Sequence, residues 1–592
     1  MEQKPKLLDK FLVWRPKHIN DRQYIYLLSV VAGIIAAIAA IVIKKSAHLI
    51  QFLLTNHFSN QYENFLYIFY PAIGILLALL FMRYIVRQES GHGIPGVLYA
   101  ISRKNGLIKF HNVYSAIVSS AFTVGFGGSV GLEGPTVSTG AAVGSNLGQF
   151  LRLNHRQIIL MISLASAAAM ASIFQSPIAA ILFALEVIMI DLSVASLVPL
   201  LIATVTAVLT SYFVLGQAVM YPIDRSVTFD SSNTMYYIGL GVLAGLFSVY
   251  FTKVSIWVES NFHKRYADWR LRFVIGSLTL GSLIFFFPSL YGEGYEAINQ
   301  SLKGDYSALY NHSIFFDFRE DMWIIFGLFA AVLLMKAFAT SLTFAAGGVG
   351  GIFAPSLFLG SFLGLFYGVF VNYIGLGNLD PGKFAVIGMG GMIAGILHAP
   401  LTGIFLIAEI TGGYNLFVPL MIVSTISFAT VKVFVSDSVY TYQLAARGEL
   451  MTHNKDKSVL NMMSVSGMIE KDFHCILPGQ TLGDLVKAIS RSKRNIFPVV
   501  DSQGYFKGHI LLDDIRTIMF DTELYNTLVD SIMVYPSYII CPTDPMENVA
   551  TMFRDSGKYN LVVLDQGKYL GYVSRANVFL TYRTKLSEIS QD

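Results

Sequence analysis

Charge is what this chain has least of. Of its 592 residues only 14% are Asp, Glu, Lys or Arg, while 54% are hydrophobic, and the mean hydropathy is +0.56. Soluble domains carry about 25% charged residues, so a soluble protein of this size is excluded and a multispanning membrane protein is indicated. Cysteine is almost absent: Cys475 and Cys541, both in the more polar C-terminal region, exclude a disulfide framework and a cysteine metal site and fit a reduced, cytosolic setting. The formal net charge of +4 supplies no clustered basic face, so no nucleic-acid partner is expected. No His-Glu-x-x-His run occurs and intramembrane acids are sparse; an intramembrane enzyme is a remote alternative, and neither metal nor organic cofactor is expected. Segment 1–22 lacks an apolar core with a small-residue cleavage site, which excludes a cleaved signal peptide. Its basic residues Lys4, Lys6, Lys10, Arg15, Lys17 and Arg22 place it in the cytoplasm by the positive-inside tendency.

What the chain does have is apolar sequence repeatedly broken by glycine and proline. Stretches near 25–44, 64–86, 113–130, 157–190, 194–217, 235–257, 272–290, 322–344, 353–375, 384–410 and 416–435 are candidate membrane elements, about 20 helical residues being needed to cross the hydrocarbon layer. The interruptions at 91–95, 131–135, 176–177, 347–355 and 399–400 release backbone polar groups. At membrane depth these are tolerated only around an enclosed pathway, and paired interruptions in two halves point to a transport site. The halves align. GGSVGLEGPTVSTGAAVG (127–144) lies over GGVGGIFAPSLFLGSFLG (347–364), with Glu133 on Phe353; ASIFQSPIAAILFALEV (171–187) lies over AGILHAPLTGIFLIAEI (394–410), with Glu186 on Glu409. The offsets, 220 (353 less 133) and 223 (409 less 186), are those of one duplication, far longer than a solenoid repeat.

Within that frame Glu133 stands out, because an ionisable group among apolar spans is costly and by default functional. Glu186 and Glu409, at equivalent places, read instead as structural groups at helix ends. After about residue 450 charges return and apolar runs shorten to strand length. Here a second duplication appears: NIFPVVDSQGYFKGHI (from 495) resembles NLVVLDQGKYLGYV (from 560), each a buried strand, a glycine turn, a second strand and a short helix.

The membrane part resembles the CLC family of chloride channels and chloride/proton exchangers, and the tail resembles a tandem CBS pair. GHGIP (91–95) matches the family's first anion-site loop, GLEGP (131–135) its gating-glutamate loop and GIFAP (351–355) its second anion-site loop, and Tyr440 falls where the family has its inner-gate tyrosine. The resemblance implies an all-α polytopic membrane domain of two inverted-topology repeats with broken helices, followed by a small α/β CBS pair. Its parts are a cytoplasmic segment 1–22, a membrane domain 23–450 (repeats about 23–217 and 235–450), and CBS domains at 460–525 and 526–592. It also implies a homodimer in the plasma (inner) membrane with both termini cytoplasmic, transporting chloride and, in exchangers, protons. Helix N-termini hold anions through unpaired N–H groups and the helix dipole. On this pattern His92, Gly93, the amides of Ile352 and Phe353 and the Tyr440 hydroxyl would meet chloride, and Glu133 would be gate and proton carrier.

Two positions depart from the family pattern. His92 replaces a common serine; its imidazole would donate N–H to chloride and tie occupancy to cytoplasmic pH, or only the backbone would meet the ion. Val187 stands where well-known exchangers have a proton-relaying glutamate, which favours passive, channel-like conduction, with chloride/proton exchange as the alternative. In the tail, Leu511 and Asp514 in the first copy and Ser574 and Asn577 in the second fall where some CBS modules hold a nucleotide's ribose. Neither copy keeps the full Thr/Ser and Asp pair, so adenine nucleotide is not the favoured ligand and a dimer-stabilising tail is the alternative.

Overall fold

The computed structural model describes residues 7–58, 63–87, 93–188, 194–217, 219–222, 229–311, 313–442, 460 and 463–590. The chain divides into two compact units, Met1–Leu450 and Met451–Asp592.

In the membrane unit the first half runs α1 (Leu7–His18), α2 (Asp21–Phe58), α3 (Glu63–Leu80, continued by a π turn Phe81–Val86), α4 (Gly93–Arg103), α5 (Asn112–Gly125), α6 (Glu133–Phe150), α7 (His155–Phe174), α8 (Pro177–Glu186) and α9 (Val194–Leu215). The second half repeats α2 to α9 in order: α10 (Thr234–Arg265), α11 (Trp269–Phe286), α12 (Tyr295–Leu302), α13 (Met322–Ala345), α14 (Phe353–Tyr373), α15 (Pro381–Leu397), α16 (Pro400–Ile410) and α17 (Phe417–Phe434). Among the described residues nine helices are long and apolar enough to cross a membrane. The most apolar windows of α7 and α14 are 83% and 78% buried within the protein against 28% for α3 and α11, so the former form the centre and the latter the rim.

Two of the apolar stretches are each two helices. The stretch 157–190 breaks between α7 and α8, and 384–410 between α15 and α16, because Gln175 (φ 54°) and His398 (φ 57°) end one helix left-handed and Pro177 and Pro400 start the next. Proline at the first helical position gives up an amide that had no partner. Helix α6 was absent from the apolar stretches; it is rich in glycine and threonine, yet most of it is buried. Its Gly140 and Gly144 lie so close to α7 that an added Cβ would sit 2.4 Å from the Ala165 carbonyl oxygen and 2.1 Å from that of Met161; Gly360 and Gly364 repeat this against α15. Small residues let helix backbones approach in this way inside membranes.

The halves also cap each other. The Glu409 carboxylate accepts from the amides of Ile178 (3.1 Å) and Ala179 (2.9 Å) and from the Ser176 hydroxyl. Glu186 accepts from the amides of Leu401 (2.9 Å) and Thr402 (2.7 Å) and from the Thr402 hydroxyl (2.7 Å). Each acid thus satisfies the N-terminal amides of the partner half's short helix, where carboxylates are favoured.

The tail unit contains α18 (Leu482–Arg491), β1 (Ile496–Val500), β2 (Phe506–Leu511), α19 (Leu512–Ile515), β3 (Ile539–Ile540), α20 (Met546–Ser556), β4 (Asn560–Asp565), β5 (Lys568–Ser574) and α21 (Arg575–Ser590). Strands β1 and β2 pair antiparallel; β4 pairs antiparallel with β5 and parallel with β3. A helix therefore precedes each hairpin, and the helix that follows the second is long rather than short. Each copy has its own core, and a third cluster joins them, in which Phe473, Val500 and Phe506 meet Val562, Leu564 and Tyr572.

Candidate anion and proton site

The site forms where α6 and α14 begin. The preceding loops meet in an antiparallel bridge: the Gly131 amide donates to the Gly351 carbonyl (2.8 Å) and the Gly351 amide to the Gly131 carbonyl (2.7 Å). Threonines brace it with the same 220-residue offset (343 less 123; 349 less 129). Thr343 Oγ1 accepts from the Ser129 amide (3.2 Å), and Thr123 Oγ1 accepts from the Val349 amide (3.1 Å). Glycine is required at this crossing, since a Cβ on Gly351 would lie 2.6 Å from the Gly134 nitrogen.

Two helix N-termini converge here, and neither has a side-chain cap. Buried helix ends without such partners are uncommon, and together they form a concentrated positive potential suited to an anion. Glu133, the first residue of α6, is 2% exposed. Its Oε1 accepts from the Tyr295 hydroxyl at 2.8 Å. Oε2 is buried, makes no hydrogen bond and faces the amides of Glu133 itself and of Ala354. The carboxylate thus lies at the point served by both helix ends, folded against Gly131, where an added Cβ would be 2.0 Å from Oε2.

Phe353, at the equivalent place, begins α14 and packs between Phe174 (centroids 5.2 Å apart) and Phe183 (6.5 Å). Ile352 stands just before it. The Tyr440 hydroxyl is buried, makes no hydrogen bond and faces the Ile352 backbone. Gly93 opens α4 with φ 45°. Gly93, Gly134, Ile352 and Tyr440 line one cavity of about 600 Å³, whose wall also carries Arg83 and Arg87. His92 lies outside the described residues. Val187 ends α8, 4% exposed, its amide donating to the Phe183 carbonyl (2.9 Å); it is buried and titrates nothing.

Sequence reasoning missed a strap over the loop that precedes α6, residues 290–295. The Ser129 hydroxyl donates to the Leu290 carbonyl (2.7 Å), the Gly292 amide to the Gly127 carbonyl (3.0 Å) and the Leu132 amide to Glu293 Oε1 (3.0 Å). Lys336, fully buried in α13, donates to Ser129 Oγ (2.9 Å) and to the carbonyls of Leu290 and Gly292. Two signals were available: a lysine inside an apolar run, and Gly292-Glu293-Gly294-Tyr295, which leads into α12 and resembles in sequence Gly91-His92-Gly93-Ile94, whose Gly93 begins α4. Residues 127–131 also spell the Gly-x-Ser-x-Gly pattern of serine hydrolases. Ser129 is no nucleophile, because its hydroxyl proton goes to Leu290 and its oxygen to Lys336.

In the tail, the Ser574 hydroxyl donates to Glu470 Oε1 (2.6 Å) and accepts from the Asn577 amide (3.2 Å). Arg494 pairs with Glu470 (2.8 Å) and Asp472 (2.6 Å), and its hydrogen bonds hold the Asp472 carboxyl below the usual carboxylate range. Ser574 and Asn577 are together, the hydroxyl already spent on Glu470; Asp514 is exposed on α19.

Two inverted halves of broken helices, aiming two uncapped helix ends at a buried carboxylate, define a membrane transport protein for anions. The comparisons give the family: residues 73–432 match the voltage gated chloride channel model, and residues 465–521 and 529–582 match the CBS domain model. The chain belongs to the voltage gated chloride channel (CLC) family and is a multi-pass membrane protein of that chloride-transport family, carrying a CBS pair. It is 30% identical over 380 residues to a ClcB-like protein of Ralstonia nicotianae (63% of this chain, 84% of that one). It is 28% identical over 410 residues to the H(+)/Cl(-) exchange transporter ClcA of Vibrio cholerae (67% and 84%). The structure of a slow cyanobacterial Cl-/H+ antiporter superposes with a TM-score of 0.61 at 20% identity, covering 72% of this chain and 98% of that one.

Proposed function

We propose that the protein exchanges chloride for protons, with Glu133 as both gate and proton carrier. The observation that carries this reading is the placement of Glu133 Oε2 against the Ala354 amide at the start of α14, the place where the two helix ends would hold chloride. Carboxylate and anion compete for one position, so chloride takes it when Glu133 is protonated and moves aside. Ile352, Phe353 and Tyr440 contact chloride on the side of the Arg83 and Arg87 cavity, which faces the cytoplasm with both termini, in a homodimer with one pathway per subunit in the plasma membrane. The Vibrio cholerae relative's name supports exchange over the channel-like conduction that Val187 favoured. Protons then reach Glu133 from the cytoplasm by water or by another group, not through position 187.

The test is proton flux in liposomes reconstituted with purified protein. An outward chloride gradient should drive protons uphill into the vesicles, and Glu133→Ala should abolish that movement while leaving chloride flux. Chloride flux without any uphill proton movement in the unmodified protein would establish passive conduction instead.

A further inference from the structure

The gate has a second carboxylate. Glu293 stands in the loop that opens α12, and α12 is the second-half counterpart of α4, so this loop corresponds to the family's first anion-site loop at 91–95. The two halves are inverted, so the second copy faces the site from the opposite, outer side. Both loops place a glycine in the left-handed region just inside the turn, Gly93 at φ 45° and Gly294 at φ 78°, and both carry a titratable residue between two glycines. In the second half that residue is an acid, and it grips the gate directly through its hydrogen bond from the Leu132 amide, one residue before Glu133. Two residues further on, Tyr295 donates to the Glu133 carboxylate. One short strap therefore holds both the backbone and the side chain of the gate.

The groups facing Glu293 come from every neighbouring element. They are Glu133 on α6, Lys44 on α2, Lys336 on α13, the Tyr221 hydroxyl ahead of α10 and Tyr295 on α12. Of the cations, Lys336, whose hydrogen bonds go to Ser129 and two carbonyls, acts on Glu293, and Lys44 acts on both acids. Two neighbouring carboxylates buried in one site resist simultaneous ionisation, and their protons come off in steps that belong to the pair.

We propose that Glu293 is a positioning residue of the outer gate: its charge and its hold on Leu132 set how readily Glu133 takes up a proton from the outer solution and leaves the anion position. This rests on Glu133 being the gate. The negative charge of Glu293 favours protonation of Glu133, and its grip on Leu132 keeps the gating loop in register when the carboxylate moves.

The experiment is chloride flux in planar bilayers against outer pH, at fixed inner pH and chloride. The unmodified protein should respond over a span wider than one proton step. Glu293→Gln, which keeps an oxygen for the Leu132 amide, should give a single step with its midpoint about one unit lower, and Glu293→Asp should keep the wide response. A Glu293→Gln profile that superimposes on the unmodified one, while Glu133→Ala abolishes pH dependence, overturns the role of Glu293 and leaves the gate reading standing. Equal loss of amplitude in both Glu293 variants with no change of midpoint assigns Glu293 to structure alone and also overturns it. Persistence of the full pH response in Glu133→Ala removes the gate reading itself.

Discussion

If Glu133 is the gate proposed above, one hydroxyl holds it. Tyr295 donates to Glu133 at 2.8 Å, and a hydrogen bond to a charged group contributes about 1.5–3 kcal/mol. Tyr295→Phe keeps the ring, which lies 6.1 Å from that of Tyr221, and removes only the bond. The equilibrium should move toward the displaced gate by roughly tenfold or more, visible as higher chloride flux at neutral outer pH. Flux and pH response identical to those of the unmodified protein would mean that the bond does not hold the gate. Glu133 was legible in the sequence because an acid inside an apolar frame has to be explained. Tyr295 and Glu293 were not, since their loop lies outside the apolar stretches and its kinship to 91–94 rests on little more than two glycines.

At the scale of elements, two acids equally conspicuous in the sequence do different work. Glu186 and Glu409 are tied to helix ends by three hydrogen bonds each, and none of their partners belongs to the gate. Glu409→Ala strands the amides of Ile178 and Ala179 and should cost about 1–3 kcal/mol, lowering the unfolding midpoint in detergent by several degrees; the outer-pH midpoint of chloride flux should not move. A pH midpoint shifted as in a gate variant would place Glu409 in transport after all. The helix breaks were legible because proline has a backbone cause that sequence displays; the left-handed Gln175 and His398 that end the preceding helices carry no such mark. Helix α6 was not, because its burial comes from the close approach of α7, which composition does not record. The contrast between the halves is a matter of one side chain: on the same scaffold the first half offers the buried Glu133 carboxylate, and the second offers Phe353, packed between two rings.

At the scale of the whole molecule, duplication made the architecture readable twice, in the membrane unit through two nearly equal offsets and in the tail through two similar hairpins. The contacts that join copies were not readable, because aligning two repeats shows which residues are equivalent and not which of them touch. In the tail one such contact is His509 Nδ1 to the Tyr572 hydroxyl at 3.2 Å, across the two copies. Burial first, then Lys558, holds the His509 imidazole below its ordinary value, with Asp514 opposing. The unfolded chain, with a histidine pKa of about 6.5, therefore takes up the proton first, so this contribution to stability is intact above that pH and is lost as pH falls below it, by at most about 1.4 kcal/mol per pH unit. Melting of the 451–592 unit should weaken between pH 7 and 5.5, and less so in His509→Phe; equal slopes would remove His509 as the cause. The reciprocal capping of α8 and α16 has a consequence in time. Ribosomes add about 5–20 residues per second, and Glu409 is made 231 residues after Ile178, whose amide it caps. For roughly ten seconds or more, the newborn first half sits in or at the bilayer with the end of α8 and the edge of Gly131 unsatisfied. Neither half satisfies these helix ends and this loop backbone by itself; each depends on the other for them.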